Sequence, residues 1–189
     1  TGRPPAAEPR SPRKENEMPE TMSRQTQQHA ETEIVVERHI RADPARVYRA
    51  LTDAKELEKW FFTDARTDPR QGGDYRMTWR SRADPGRDHD RFGKYLELVP
   101  NSRIVFEWRG PECGSNRGMP DTSVAITLTP KDGGTLIRLV HSGWPRTSEG
   151  QNARGPHVDG WNFYMDNLAS FLTGGPDRRE DTFGQLVRR

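Results

Sequence analysis

Five stretches between residues 73 and 142 carry apolar side chains at every second position. They are GDYRMTWRS (73–81), RFGKYLELV (91–99), RIVFEWR (103–109), TSVAITLT (122–129) and GTLIRLVHS (134–142). Period two sends neighbouring side chains to opposite faces of a strand, so each stretch reads as a strand with one apolar face. Turn-forming sequences separate them: PRQGG, ADPGRDHD, VPNS, GPECGSNRGMPD and KDGG. TEIVVERHI (32–40) alternates in the same way, and FTDARTD (62–68) is a weaker candidate. A run of antiparallel strands with one apolar face needs a cover.

VDGWNFYMDNLASFL (158–172) is the available cover. At 100° per residue, Phe171, Tyr164, His157, Leu168, Trp161, Leu172, Met165, Val158 and Ala169 fall within an arc of about 160°. Asn162, Asp166, Asn167 and Ser170 take the other side, and His157 stands at the start. Two shorter helices precede the sheet. In ADPARVYRALTD, Asp43 is placed to cap and Pro44 suits the first helical position. In DAKELEKWFF, Asp53 and Glu56 have the spacing of a capping box, and Leu57, Trp60 and Phe61 form the apolar side. The expected fold is therefore α+β. A curved antiparallel sheet of six to seven strands wraps around a long C-terminal helix, with two short helices after the first strand. This helix-grip arrangement leaves a gap beneath the helix wherever side chains fail to meet, and such a gap suits a ligand.

The expected organisation has three parts: a disordered segment at 1–30, a helix-grip domain at 31–174 and a flexible tail at 175–189. Residues 1–30 hold only five hydrophobic residues, too few to offset the entropy of ordering. Met18 and Met22 lie just ahead of the domain and are candidate start residues. All five Trp, all four Tyr and six of seven Phe lie in 31–174. The formal charge is +1 for residues 1–30, 0 for 31–174 and +1 for the tail. A domain without net positive charge argues against nucleic acid as its partner. No apolar run is long enough to span a membrane. The single cysteine, Cys113, excludes an internal disulfide and fits a reducing cytoplasmic setting.

The candidate ligand-binding residues are the large side chains of the helix and of the facing strands. Trp161, Tyr164, Met165 and Leu168 are expected to look toward the sheet. Tyr75, Met77, Trp79, Tyr95, Phe106 and Trp108 are expected to look back, and Trp60, Trp144 and His141 complete the set. An amphipathic aromatic wall suits a largely apolar ligand, and Met adds adaptability. For each residue the alternative is plain core packing. His141 and His157 are placed near one end of the gap; with Tyr164 they are the candidate proton carriers. The alternative for each imidazole is a bond to nearby backbone. No third ligand at a convincing spacing accompanies them, so no metal is expected. No nucleotide-cofactor or hydrolase signature is present, so no cofactor is expected. Among Arg76, Arg80, Arg109 and Arg138, one turned inward would grip a carboxylate, whereas outward ones are solvated. GPECGSNRGMPD is a candidate flap, with Cys113 as a bystander thiol.

The ordered succession ADPARVYRALTDAKELEKWF (42–61), RQGGDYRM (70–77), GKYLEL (93–98), PNSRIVFEWR (100–109), TLTPKDGGTLIRLVHSGWP (127–145) and HVDGWNFYMDNLASFL (157–172) resembles the START-like, or SRPBCC, superfamily. The branch it resembles is the one similar to the C-terminal domain of the activator of the heat shock protein 90 ATPase. That resemblance implies a pocket between sheet and last helix but no single reaction, because the superfamily includes binders, lipid carriers, cyclases and co-chaperone domains. The leading expectation is binding of an apolar or aromatic small molecule. The alternatives are a polyketide cyclase, hydrolase or self-resistance enzyme acting in the same cavity, and a co-chaperone. The co-chaperone is disfavoured because the separate N-terminal domain of such activators is missing from this sequence. An exposed strand edge, or Phe163 on the polar side of the helix, would permit a homodimer.

Overall fold

The computed structural model describes residues 32–80, 89–111 and 120–179. The expectations for residues 1–30, for most of ADPGRDHD, for Cys113 and its flap, and for residues 180–189 lie outside these residues. The elements run β1 (Glu33–Ile40), α1 (Pro44–Thr52), α2 (Ala54–Trp60), β2 (Asp64–Thr67), β3 (Asp74–Trp79), β4 (His89–Val99), β5 (Arg103–Trp108), β6 (Thr122–Lys131), β7 (Gly134–Ser142) and α3 (Ser148–Leu172). The strands form one seven-stranded sheet in the order β1-β7-β6-β5-β4-β3-β2, with every neighbouring pair antiparallel. The expected α+β architecture is the observed one, and the weaker candidate at 62–68 is strand β2.

Local chemistry explains the element ends. Asp43 accepts a hydrogen bond from Arg46 N at 3.0 Å and caps α1, with Pro44 in the first turn. Asp53 caps α2 by accepting from Glu56 N at 2.9 Å. The capping box is only half made: Glu56 turns its carboxylate to Arg46 and Lys59 instead, each at 2.8 Å. Between β6 and β7, Asp132 and Gly133 both take positive φ, as a two-residue hairpin turn requires.

Helix α3 begins well before His157. Thr147 caps it, accepting from Gly150 N at 3.2 Å, and Pro156 lies inside it. The stretch SEGQNARGP reads as a loop because glycine and proline both disfavour helix interiors. Tertiary anchoring overrides that preference: the Arg154 guanidinium donates to the Glu33 carbonyl at 2.8 Å. Further along, Arg38 of β1 donates to Asp166 at 2.7 Å and to Asn162 at 3.0 Å.

The two halves of the sheet meet α3 differently. Strands β1, β7 and β6 turn inward Ile34, Val36, Ile137, Leu139, Val124 and Ile126, and the helix backbone comes close to β1 and α2. Strands β3 to β5 turn inward Tyr75, Met77, Tyr95, Phe106 and Trp108, all buried. Larger side chains hold the helix farther from that half, and rings bridge the distance.

Two expectations change on the helix. Asn167, placed on its polar side, is fully buried, donating to the Trp60 carbonyl at 2.6 Å and accepting from Arg178 N at 2.7 Å. Phe163 is half-buried beside Tyr164, with the Arg178 guanidinium 6.0 Å from its ring centre. The segment after the helix, expected to be flexible from 175, docks through residue 179. Arg179 is 5% exposed, donates to the carbonyls of Phe62 at 2.8 Å and Glu58 at 3.1 Å, and pairs with Asp177 at 2.7 Å. Truncating it strands two acceptors and a carboxylate. Arg179→Ala is expected to cost about 2–4 kcal/mol in urea unfolding at unchanged slope. A loss below about 0.5 kcal/mol would mean the segment does not anchor the fold.

Candidate functional site

Beneath α3, the side chains of Leu51, Leu57, Trp60, Phe61, Met77, Tyr95, Phe106, Ile126, Trp161 and Met165 surround a cavity of about 10 Å³. This is the volume open to the centre of a water molecule, about enough for one. Nothing polar worth a water's hydrogen bonds faces it. The ligand-sized gap expected from the sequence is not seen: aromatic rings occupy the space that the curved sheet leaves, and only a water-sized void remains.

Phe61 is the hub of those rings. Its centroid lies 4.9 Å from Trp60, 4.5 Å from Tyr164, 5.5 Å from Trp79 and 5.6 Å from Trp161. Trp161 continues the contact to Trp108 at 5.0 Å. Offset and edge-on geometries of this kind add about 0.5–1.5 kcal/mol per pair beyond area burial. Phe61 was placed on the apolar side of α2 by sequence but not among the site residues. Leu51, Leu57 and Ile126 are further cavity residues that aliphatic side chains gave no reason to single out.

A relay of hydrogen bonds crosses the interior. Trp161 Nε1 donates to His141 Nδ1 at 2.9 Å, His141 Nε2 lies 2.7 Å from Thr122 Oγ1, and that hydroxyl donates to the Trp108 carbonyl at 3.1 Å. Because Trp161 can only donate and Thr122 spends its proton on a carbonyl, His141 must be the neutral Nε2–H tautomer. Burial, helped by His157 and Arg91, holds its pKa well below the usual histidine value. His157 sits in the middle of α3, and its Nδ1 donates to the Ala153 carbonyl at 2.9 Å. Burial lowers its pKa to about 4. The two imidazoles are 5.6 Å apart, and Trp144 packs on both at 4.6 and 4.8 Å. Burial also raises the Tyr164 hydroxyl far above neutrality. His141 and His157 therefore stand together, whereas Tyr164 lies further along α3 against Phe61 and Trp79; all three are neutral at pH 7.

Of the expected ligand-binding residues, Trp60, Met77, Tyr95, Phe106, Trp161 and Met165 border the cavity, whereas Tyr75, Trp79, Trp108, His141, Trp144 and Tyr164 are packed around it without lining it. Trp60 donates from Nε1 to the Ala50 carbonyl at 3.0 Å, and Trp79 to the Phe61 carbonyl at 2.8 Å. The Tyr75 hydroxyl donates to the Glu107 carbonyl. Leu168 is buried but does not touch the cavity. The four arginines proposed as carboxylate grips do not turn inward. Arg76 pairs with Asp90 at 2.5 Å, Arg80 with Asp64 at 3.0 Å, Arg109 with Glu107 at 2.9 Å and Arg138 with Glu37 at 3.3 Å. The inward arginine is Arg91, 6% exposed, lying over Trp79 and Trp108. Its signal was in the period: with Tyr95 facing inward, residue 91 lies on the same face of β4. Among the described residues, no three His, Cys, Asp or Glu side chains converge as a metal site, and no helix is long and apolar enough to cross a membrane.

The family described as "Activator of Hsp90 ATPase homolog 1-like protein" matches residues 41–173, most of the chain. The chain belongs to this family. Solved structures agree. Protein CV1439 from Chromobacterium violaceum is 31% identical, with 75% of this chain and 96% of that one covered at a TM-score of 0.62. The Aha1 dimer from Colwellia psychrerythraea is 24% identical, with 74% and 95% covered at 0.58. DynU16, from the dynemicin biosynthetic locus, is 22% identical, with 77% and 49% covered at 0.61. The last two share the fold alone at that identity. A search of curated proteins finds no match to the sequence.

The buried imidazoles make stability depend on pH. Both bind protons readily when unfolded, near pH 6.5, and resist them when folded. Their contribution is intact above about pH 6.5 and is lost as pH falls toward 4. Going from pH 7 to 5 is expected to cost about 2 kcal/mol through His157 alone. His157→Gln should flatten that slope in denaturant titrations. A wild-type stability unchanged between pH 7 and 5 would show that the rings are not held neutral.

Proposed function

We propose that this protein binds a hydrophobic or aromatic small molecule between its sheet and α3, in an interior that opens to admit it. The observation that carries this is the cavity wall: ten side chains from seven elements, with Phe61 counted with the α2 it follows, and an almost wholly apolar lining. A core built only for stability is packed to crystal-like density with few voids larger than a water molecule. Here the half of the sheet under β3 to β5 is filled by rings and two methionines, Met77 and Met165, that also border the empty space. Ring rotation and methionine rotamers enlarge such a space without breaking backbone hydrogen bonds. The family relationship agrees, since its fold places a helix across a curved sheet, but fold alone names no ligand.

An enzyme reaction by proton transfer has less support. A general base or acid works best with a pKa near the working pH. His141, His157 and Tyr164 are all displaced from neutrality by burial. Both nitrogens of His141 are already engaged.

The experiment uses 1-naphthalenemethanol, a neutral aromatic probe, and follows tryptophan fluorescence. Saturable one-to-one quenching is expected with Kd about 10–100 µM, reasonable for a ligand of that size. Met77→Phe places a stiff ring at the cavity wall and is expected to weaken binding at least about tenfold, with at most about 1.5 kcal/mol lost in unfolding. No saturable binding, or equal binding by the variant, would count against the proposal.

A further inference from the structure

We propose that Arg91 is the anchor for a carboxylate on that ligand, so that the natural ligand is an aromatic or apolar acid. The site belongs to the binding function proposed above and rests on it.

The two buried arginines among the described residues make the case by contrast. Arg179 and Arg91 are 5% and 6% exposed. Arg179 has a carboxylate, Asp177, at 2.7 Å and two backbone carbonyls. Arg91 has one acceptor, the Asp90 carbonyl, 2.7 Å from Nη1, and no carboxylate partner. Its Nε is buried with nothing to donate to. The Asp90 carboxylate is turned away, accepting from Arg76 at 2.5 Å and Thr78 at 2.6 Å. A buried cation without a counter-charge is costly, and proteins either pair such groups or keep them for a charged ligand. The faces of Trp79 and Trp108, 5.8 and 5.5 Å from the guanidinium carbon, offset part of that cost. They do not replace an anion.

The surroundings lack acceptors rather than donors. Trp108 Nε1, on the ring that Arg91 covers, is buried without a partner, and so is Trp144 Nε1. A guanidinium and indole N–H groups left unpaired in one aromatic interior call for a ligand that brings oxygen lone pairs. Arg91 is also close to the cavity. Met77, its partner in the β3–β4 register, lines it, and Trp161, which also lines it, packs on Trp108. A flat aromatic body filling the enlarged cavity could place a carboxylate on the guanidinium. Burial has already lowered the Arg91 pKa to about 10, so the group is still a full cation at pH 7.

The test compares 1-naphthoate with 1-naphthalenemethanol by titration calorimetry, on the wild type and on Arg91→Met, which keeps the length and removes the charge. The wild type is expected to bind naphthoate at least tenfold tighter than the alcohol. Arg91→Met is expected to lose at least tenfold in naphthoate affinity and to keep the alcohol within about twofold. The ligand-free variant is expected to unfold about 3 °C higher or more, because an uncompensated buried charge has gone. A purely structural arginine would give the opposite shift. If neither probe binds, the ligand-binding function falls and this anchor with it. If both bind alike, if Arg91→Met weakens both equally, or if it unfolds at a lower temperature, the anchor alone is overturned.

Discussion

The hydrogen bond from Trp161 to His141 is the contact on which the interior depends. It joins the helix to the end of β7, the strand beside the β1 edge, and is fully buried, whereas the polar contacts of Arg38 and Arg154 between β1 and the helix are part-buried. Because Thr122 and the Trp108 carbonyl continue it, the bond fixes the tautomer of His141, the height of the helix above β7 and the plane of the Trp161 ring. The Trp161 ring in turn forms part of the cavity wall and packs on Trp108. A single satisfied polar chain thereby sets the geometry of an otherwise non-directional aromatic cluster. Apolar packing alone has no such directional preference.

The helix is held unevenly around that point. On the β1 side, an ion pair, a hydrogen bond to backbone and aliphatic contacts draw it close: Arg38 to Asp166, and Arg154 to the Glu33 carbonyl. At its far end, Asn167 and Arg179 tie it to the end of α2. On the β3 to β5 side it rests on rings.

How much of this is legible in the sequence differs by level. The sheet is legible because period two persists through five stretches, and the order of elements follows from it. The inward set Tyr75, Met77, Tyr95, Phe106 and Trp108 is legible for the same reason. The start of α3 is not, because Gly155-Pro156 reads as a turn and only the tertiary contacts of Arg154 hold it helical. Asn167 is not, because a short polar side chain on a helix is normally solvated; only the approach of the Trp60 carbonyl makes it a core residue. The docked Arg179 is not, because charged residues near a chain end give no local sign of burial. Cavity size is the least legible of all. Composition tells which side chains surround a space, while its volume is a small difference between the reach of the sheet and the bulk of the rings.

Arg91 shows where pattern and chemistry part. Period two places it on the apolar face, and ordinary expectation sends an arginine outward, so the strand pattern was correct where residue type misled. Natural cores rarely keep an uncompensated charge without function, since replacing it by an apolar side chain of similar length is usually neutral or stabilising. On the strands, Arg38, Arg76, Arg103 and Arg138 each have a carboxylate within 3.3 Å, so acidic partners are not scarce here. A guanidinium left without one, beside indole N–H groups also left without acceptors, is costly to a fold that already has enough apolar surface to be stable. The missing acceptor is therefore better understood as something the protein takes up than as something the fold lacks.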